Sequence, residues 1–214
     1  MKVLSLNQRI QVLADLGDAI HLELKNSPYS ETFENLLNKV NQSNPWFTIE
    51  SIIQSLSSWA VLLRSEHLNQ FVSAYDTQLF EKKNDKVVLL ILAGNIPLVG
   101  LHDVICSFLS GSKSMIKVSS KDALLLSYLI ERIKTINPEA SGYFEISETK
   151  AQGFTHVIAT GSNNSSNSMD ASQGEEEEEE EEEVDILTHS TREAKVGLTQ
   201  SSLMCMDTLI RHMG

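Results

Sequence analysis

The run of unbroken apolar residues from 87 to 93, Val-Val-Leu-Leu-Ile-Leu-Ala, constrains the fold more than any other feature of the chain. With no polar alternation and with β-branched residues at its start, it reads as a strand buried on both faces, the kind found in parallel sheets covered by helices. It ends at Gly94-Asn95-Ile96-Pro97, and Pro97 suits the first turn of a helix. Leu98, Leu101, Val104, Ile105, Phe108 and Leu109 then continue at helical spacing up to Gly111. Residues 115–118 read as a second strand, and Ser119-Ser120 as caps of a helix with Leu124, Leu125, Tyr128, Leu129, Ile133 and Ile136 inward, stopped by Asn137-Pro138. Residues 155–160 form a third strand. The alternation implies right-handed crossovers and a doubly wound parallel sheet.

Upstream of this unit the periodicity is helical. Leu6, Ile10, Leu13, Ile20 and Leu24 share one face, ended by Asn26-Ser27-Pro28, and Phe33, Leu36, Leu37 and Val40 share another after Ser30. Thr48 is placed to cap a third helix bearing Ile49, Ile52, Ile53, Leu56, Trp59, Ala60 and Leu63, and Ser65 a fourth bearing Leu68, Phe71, Val72 and Tyr75. The expected organisation is a helical region over 1–85, part of a dinucleotide-binding α/β domain over 86–164, and an acidic, poorly structured tail over 165–214 with one short helix near 203–210. The fold class is therefore α/β: a helical leader, an incomplete doubly wound parallel sheet and an acidic disordered tail.

The formal net charge of -12 is local rather than global. Residues 1–166 carry 14 Lys and Arg against 16 Asp and Glu, whereas 167–214 carry 3 against 13, nine of them in Glu175–Glu183. Such a run cannot bury apolar surface and repels itself. No basic patch points to a nucleic acid. No apolar stretch approaches the roughly 20 residues of a membrane span, and two distant cysteines behind no secretory leader imply a reducing cytoplasm.

Ligands of open α/β sheets bind outside the carboxyl ends of the strands, which selects three loops: residues 94–97, 119–121 and 161–164. Asn95 offers an amide donor beside Gly94 and a helix start, features that fit an oxyanion and equally fit a capped turn. Lys117 at a strand end fits a ribose or phosphate, and equally an ordinary exposed lysine. Gly161-Ser162 can cradle a phosphate but is not the full glycine-rich fingerprint. Cys106 lies on an apolar helix face and reads as a core residue, Cys205 has nothing local to activate it, and adjacent His102 and Asp103 are expected to point apart on a helix. His156 reads as a packed or hydrogen-bonded residue. No Cys/His or carboxylate spacing indicates a metal.

Residues 44–48 (NPWFT), 88–97 (VLLILAGNIP), 111–122 (GSKSMIKVSSKD) and 157–164 (VIATGSNN) together resemble the bacterial long-chain fatty-acyl-CoA reductases of the bioluminescence type, within the aldehyde dehydrogenase superfamily. The resemblance covers about residues 1–166. It implies reduction of a fatty acyl-CoA to an aldehyde with NADPH through a cysteine acyl-enzyme. Asn95 matches the oxyanion donor, Lys117 the lysine at the adenosine ribose, Ser119 and Ser120 its neighbours, and Gly161 and Ser162 the turn beside the nicotinamide and pyrophosphate. An uncharged Ser120 leaves room for the 2'-phosphate of NADPH. The family's Gly-Cys nucleophile segment has no match in this chain, so the nucleophilic cysteine is not identified and the expectation is a product truncated before it. A non-catalytic fragment with residual nucleotide affinity and an acidic-tailed interaction protein stay open, as does assembly with a partner protein or as a homo-oligomer.

Overall fold

A computed structural model describes residues 3–81, 86–147, 151–161 and 185–190. The chain begins with four helices, α1 (Leu6–Lys25), α2 (Glu31–Ser43), α3 (Ile49–Leu62) and α4 (Ser65–Val72). Ser5 starts α1 with a capping box shared with Gln8, and Ser30 and Thr48 cap α2 and α3 by accepting the N–H groups of Phe33 and Ser51. Ser65 is not a cap: it is the first residue of α4, and Arg64 holds the N-cap position without a side-chain bond.

The sheet follows, with β1 (Val87–Ile91), α5 (Leu101–Ser110), β2 (Lys113–Lys117), α6 (Ala123–Ile136), β3 (Phe144–Ile146), β4 (His156–Gly161) and β5 (Asp185–Ser190). Every pairing is parallel, and the order is β3-β2-β1-β4-β5. The chain moves outward from β1 through β2 to β3, then returns to the other side of β1 with β4. The topological switch point thus lies between β1 and β4, where doubly wound sheets open a crevice at their carboxyl ends.

Two strands escape the sequence reading. β3 has only three residues, too few for a period to show. β5 lies in the segment expected to be poorly structured; its backbone instead pairs with β4 from His156↔Asp185 to Gly161↔Ser190. The acidic run and the short helix expected near 203–210 lie outside the described residues.

The four leading helices and the sheet share one continuous apolar core, in which Leu13, Leu16, Ile52 and Leu56 join Val88, Leu90, Val104, Phe108 and Ile133. A buried leucine of this kind stabilises the fold by about 1.5–3 kcal/mol. α1 contributes a polar fastening as well. Arg9 is buried, its Nη2 donates to the Phe80 carbonyl at 2.6 Å, and its guanidinium lies against Gly111, the left-handed residue (φ 81°) that ends α5. A cation at that end of α5 also meets the negative pole of the helix.

Three local expectations are corrected. α5 starts at Leu101 rather than at Pro97, because Leu98 takes a left-handed φ of 61° that no α-helix accommodates. α6 starts at Ala123 with Asp122 at the N-cap, not at Ser119-Ser120. The inward face of α6 is Leu125, Leu126, Leu129, Ile130 and Ile133, with Leu124 exposed and Tyr128 and Ile136 packed at the margin.

Candidate functional site at the carboxyl ends of the strands

The parallel register brings the sequence-selected loops to one end of the sheet. Ile91 at the end of β1 pairs with Lys117 at the end of β2 and with Ala159 near the end of β4. Asn95 lies four residues beyond β1 and is exposed, Lys117 is exposed, and Gly161 is the last residue of β4. Ser119 is half-buried and Ser120 exposed in the β2–α6 loop. Ser162 lies outside the described residues.

The loops after β1 and β2 touch directly. A Cβ on Gly94 would collide with the Ser119 side chain and stand 3.3 Å from the Cβ of Lys121, so only glycine permits this approach. Ser119 Oγ in turn accepts the N–H of Lys121 at 3.4 Å. The next turn after Asn95 is held at three successive residues by three different elements. Ser55 Oγ of α3 donates to the Pro97 carbonyl at 2.8 Å, Asp122 Oδ2 accepts the Leu98 N–H at 2.8 Å, and His102 Nδ1 donates to the Val99 carbonyl at 2.9 Å. These bonds hold a non-glycine residue in the left-handed region and fix the frame on which Asn95 stands.

Asp122 is the residue that sequence reasoning missed here. It is only 4% exposed, its Oδ1 has no hydrogen-bond partner among the described residues, and burial pushes its carboxyl up to about 7 against the lowering effect of the Leu98 N–H. The Ser-Ser-Lys-Asp order reads as polar loop followed by helix. It does not show that the aspartate turns inward to another loop.

His102 and Asp103 also depart from expectation. Their side chains meet, with His102 Nε2 2.8 Å from Asp103 Oδ1. Burial alone would lower the imidazole, but the Asp103 carboxylate, through charge and hydrogen bonding, outweighs it and pushes His102 up to about 9. Adjacent residues diverge on a regular helical surface; these two lie in the first turn of α5, and His102 folds back toward the Val99 carbonyl. The ring thus faces a carbonyl with Nδ1 and a carboxylate with Nε2, a setting that favours its charged form.

Cys106 is buried at 1% exposure in the core, as its apolar surroundings imply, and is therefore not a nucleophile for this crevice. Cys205 lies outside the described residues. His156, half-buried, bonds its neighbour Thr155 Oγ1 at 2.8 Å. Among the described residues no cluster of His, Cys, Asp and Glu is arranged for a metal, and no helix is long and apolar enough to cross a membrane.

A family model described as acyl-CoA reductase (LuxC) matches residues 4–173. The chain belongs to the acyl-CoA reductase family. The match takes in the helical leader, the loops after β1 and β2 and the end of β4, so the strand ends just described lie within the matched residues. No curated protein matches the chain significantly.

The loop after β2 is basic and rich in hydroxyls at its surface. Lys117 and Lys121 are exposed cations, Ser119 and Ser120 supply hydroxyls, and the only carboxylate of residues 117–122 is Asp122, buried against Leu98.

Proposed function

We propose that this chain supplies the nucleotide and oxyanion loops for reduction of a fatty acyl-CoA thioester to an aldehyde, with NADPH as reductant. The observation that carries the reading is the placement of Asn95, Lys117 and Gly161 around the β1/β4 switch point of a 3-2-1-4-5 sheet. NADPH, when bound, supplies the hydride. Lys117 Nζ holds the adenosine ribose, and Ser119, Ser120 and Lys121 receive the 2'-phosphate. Gly161, the last residue of β4, lets the backbone approach the pyrophosphate and nicotinamide. The Asn95 amide donates to the thioester oxygen as it gains negative charge, which is worth about 10²–10³ in rate for one such donor. Ser55, Asp122 and His102 hold the backbone of the turn that follows it.

Acyl transfer also needs a thiolate. A second reading, nucleotide binding without acyl transfer, is favoured by the burial of Cys106, which leaves no thiol at the crevice among the described residues. Intact-mass spectrometry after incubation with a long-chain acyl-CoA separates the two. An adduct lost in Cys205→Ala supports the reductase. Absence of any adduct, with NADPH binding retained, supports nucleotide binding alone.

A further inference from the structure

The contact between the loops after β1 and β2 does more than close the surface. We infer that Asp122 is a positioning residue that makes the setting of Asn95 depend on occupancy of the β2–α6 loop by nucleotide. This inference rests on the nucleotide reading proposed above and goes beyond it, because it concerns how one half of the crevice reports to the other.

Asp122 directly follows Ser119-Ser120-Lys121, so any movement of that loop on a ligand moves its backbone. Its carboxylate does not cap α6; it reaches across to the Leu98 N–H at 2.8 Å. The residue it grips is in the left-handed region, a conformation that leucine leaves when it is not held. The Asp122 bond is one of two that hold Leu98 there, the other running from the Leu101 N–H to the Leu98 carbonyl at 3.1 Å. The residues directly before and after Leu98 are anchored independently, through Ser55 on Pro97 and His102 on Val99. Asn95, exposed, is thus bracketed by two contacts with the β2–α6 loop, Gly94 against Ser119 on one side and the Leu98 N–H on Asp122 on the other, and movement of that loop reaches it from both. Contact of Gly94 with Ser119 gives the two loops a common fulcrum. Asp122 itself is too buried to touch a ligand, which distinguishes this role from binding.

The test is an amide-resolved NMR titration of the whole chain with NADPH, following the Leu98 backbone and Asn95 side-chain signals. Both are expected to shift in the wild type. Asp122→Asn, whose amide oxygen still accepts the Leu98 N–H, is expected to retain most of the shift. Asp122→Ala is expected to bind NADPH within about threefold of wild type while the Asn95 shift falls at least fivefold. A folding role alone would not separate the two variants in this way while leaving binding intact. If NADPH binds the wild type and neither signal moves, the coupling is overturned and the nucleotide reading stands, a result that does not depend on any variant folding. A shift that persists undiminished in Asp122→Ala also overturns it. Failure of NADPH to bind at all removes the nucleotide reading and this inference together.

Discussion

The carboxylate of Asp122 accepts the backbone N–H of Leu98 at 2.8 Å, tying the loop after β2 to a left-handed turn in the loop after β1. The bond is buried, so its loss strands a donor away from water. Asp122→Ala is expected to destabilise the fold by about 1–3 kcal/mol, the cost of a buried unsatisfied N–H. Asp122→Asn should cost clearly less. Equilibrium denaturation of the two variants against wild type reads the difference.

The same carboxyl gives a pH signature. Its folded pKa of about 7 lies above its ordinary 3.8, so the folded state holds the proton more tightly than the unfolded chain. Its contribution to stability is complete below about 3.8 and is lost as pH rises through about 7. Denaturation midpoints measured across this window should fall less steeply in Asp122→Asn than in wild type.

His102 acts at higher pH. Raised from 6.5 to about 9 by Asp103, it contributes stability that is complete below about 6.5 and is lost as pH rises through about 9. His102→Gln keeps a donor for Val99 but not the charge, and should remove the loss of stability between these values. An NMR titration of the ring that reports a midpoint near or below 6.5 contradicts the assignment.

Sequence patterning made the core of this fold legible and left its cross-links hidden. The buried strand 87–91, the cap Thr48 and the glycine that ends α5 follow from periodicity and local chemistry. The strand ends beside which Asn95, Lys117 and Gly161 lie were legible from the alternation of strands and helices. Asp122 and the His102–Asp103 pair were not, since their partners are fixed by tertiary contact. Pro97 misled for the same reason: its local preference for a helix start yields to the turn that Ser55, Asp122 and His102 hold.

The junction of helical leader and sheet is tested at Gly111. Its φ of 81° and its contact with Arg9 leave no place for a Cβ. Gly111→Ala should destabilise by about 1–3 kcal/mol through the left-handed strain alone. Arg9→Met, which removes the charge and its bond to Phe80, should relieve part of the clash and make the two changes non-additive in a double-mutant cycle.

Two tryptophans provide a built-in reporter. Trp46 is 90% exposed, on a loop whose Asn44 amide donates to the Lys121 carbonyl at 3.4 Å, whereas Trp59 is 6% exposed in the core. Nucleotide at Lys121 should quench the long-wavelength emission of Trp46. Quenching that survives Trp46→Phe would place the ligand elsewhere.

The most direct test of the account is a calorimetric titration of the purified chain with NADPH, alongside Lys117→Ala. The account predicts saturable binding at one site, weakened roughly tenfold by the substitution, the effect of about 1.4 kcal/mol. Absence of binding, or binding indifferent to Lys117, would contradict it.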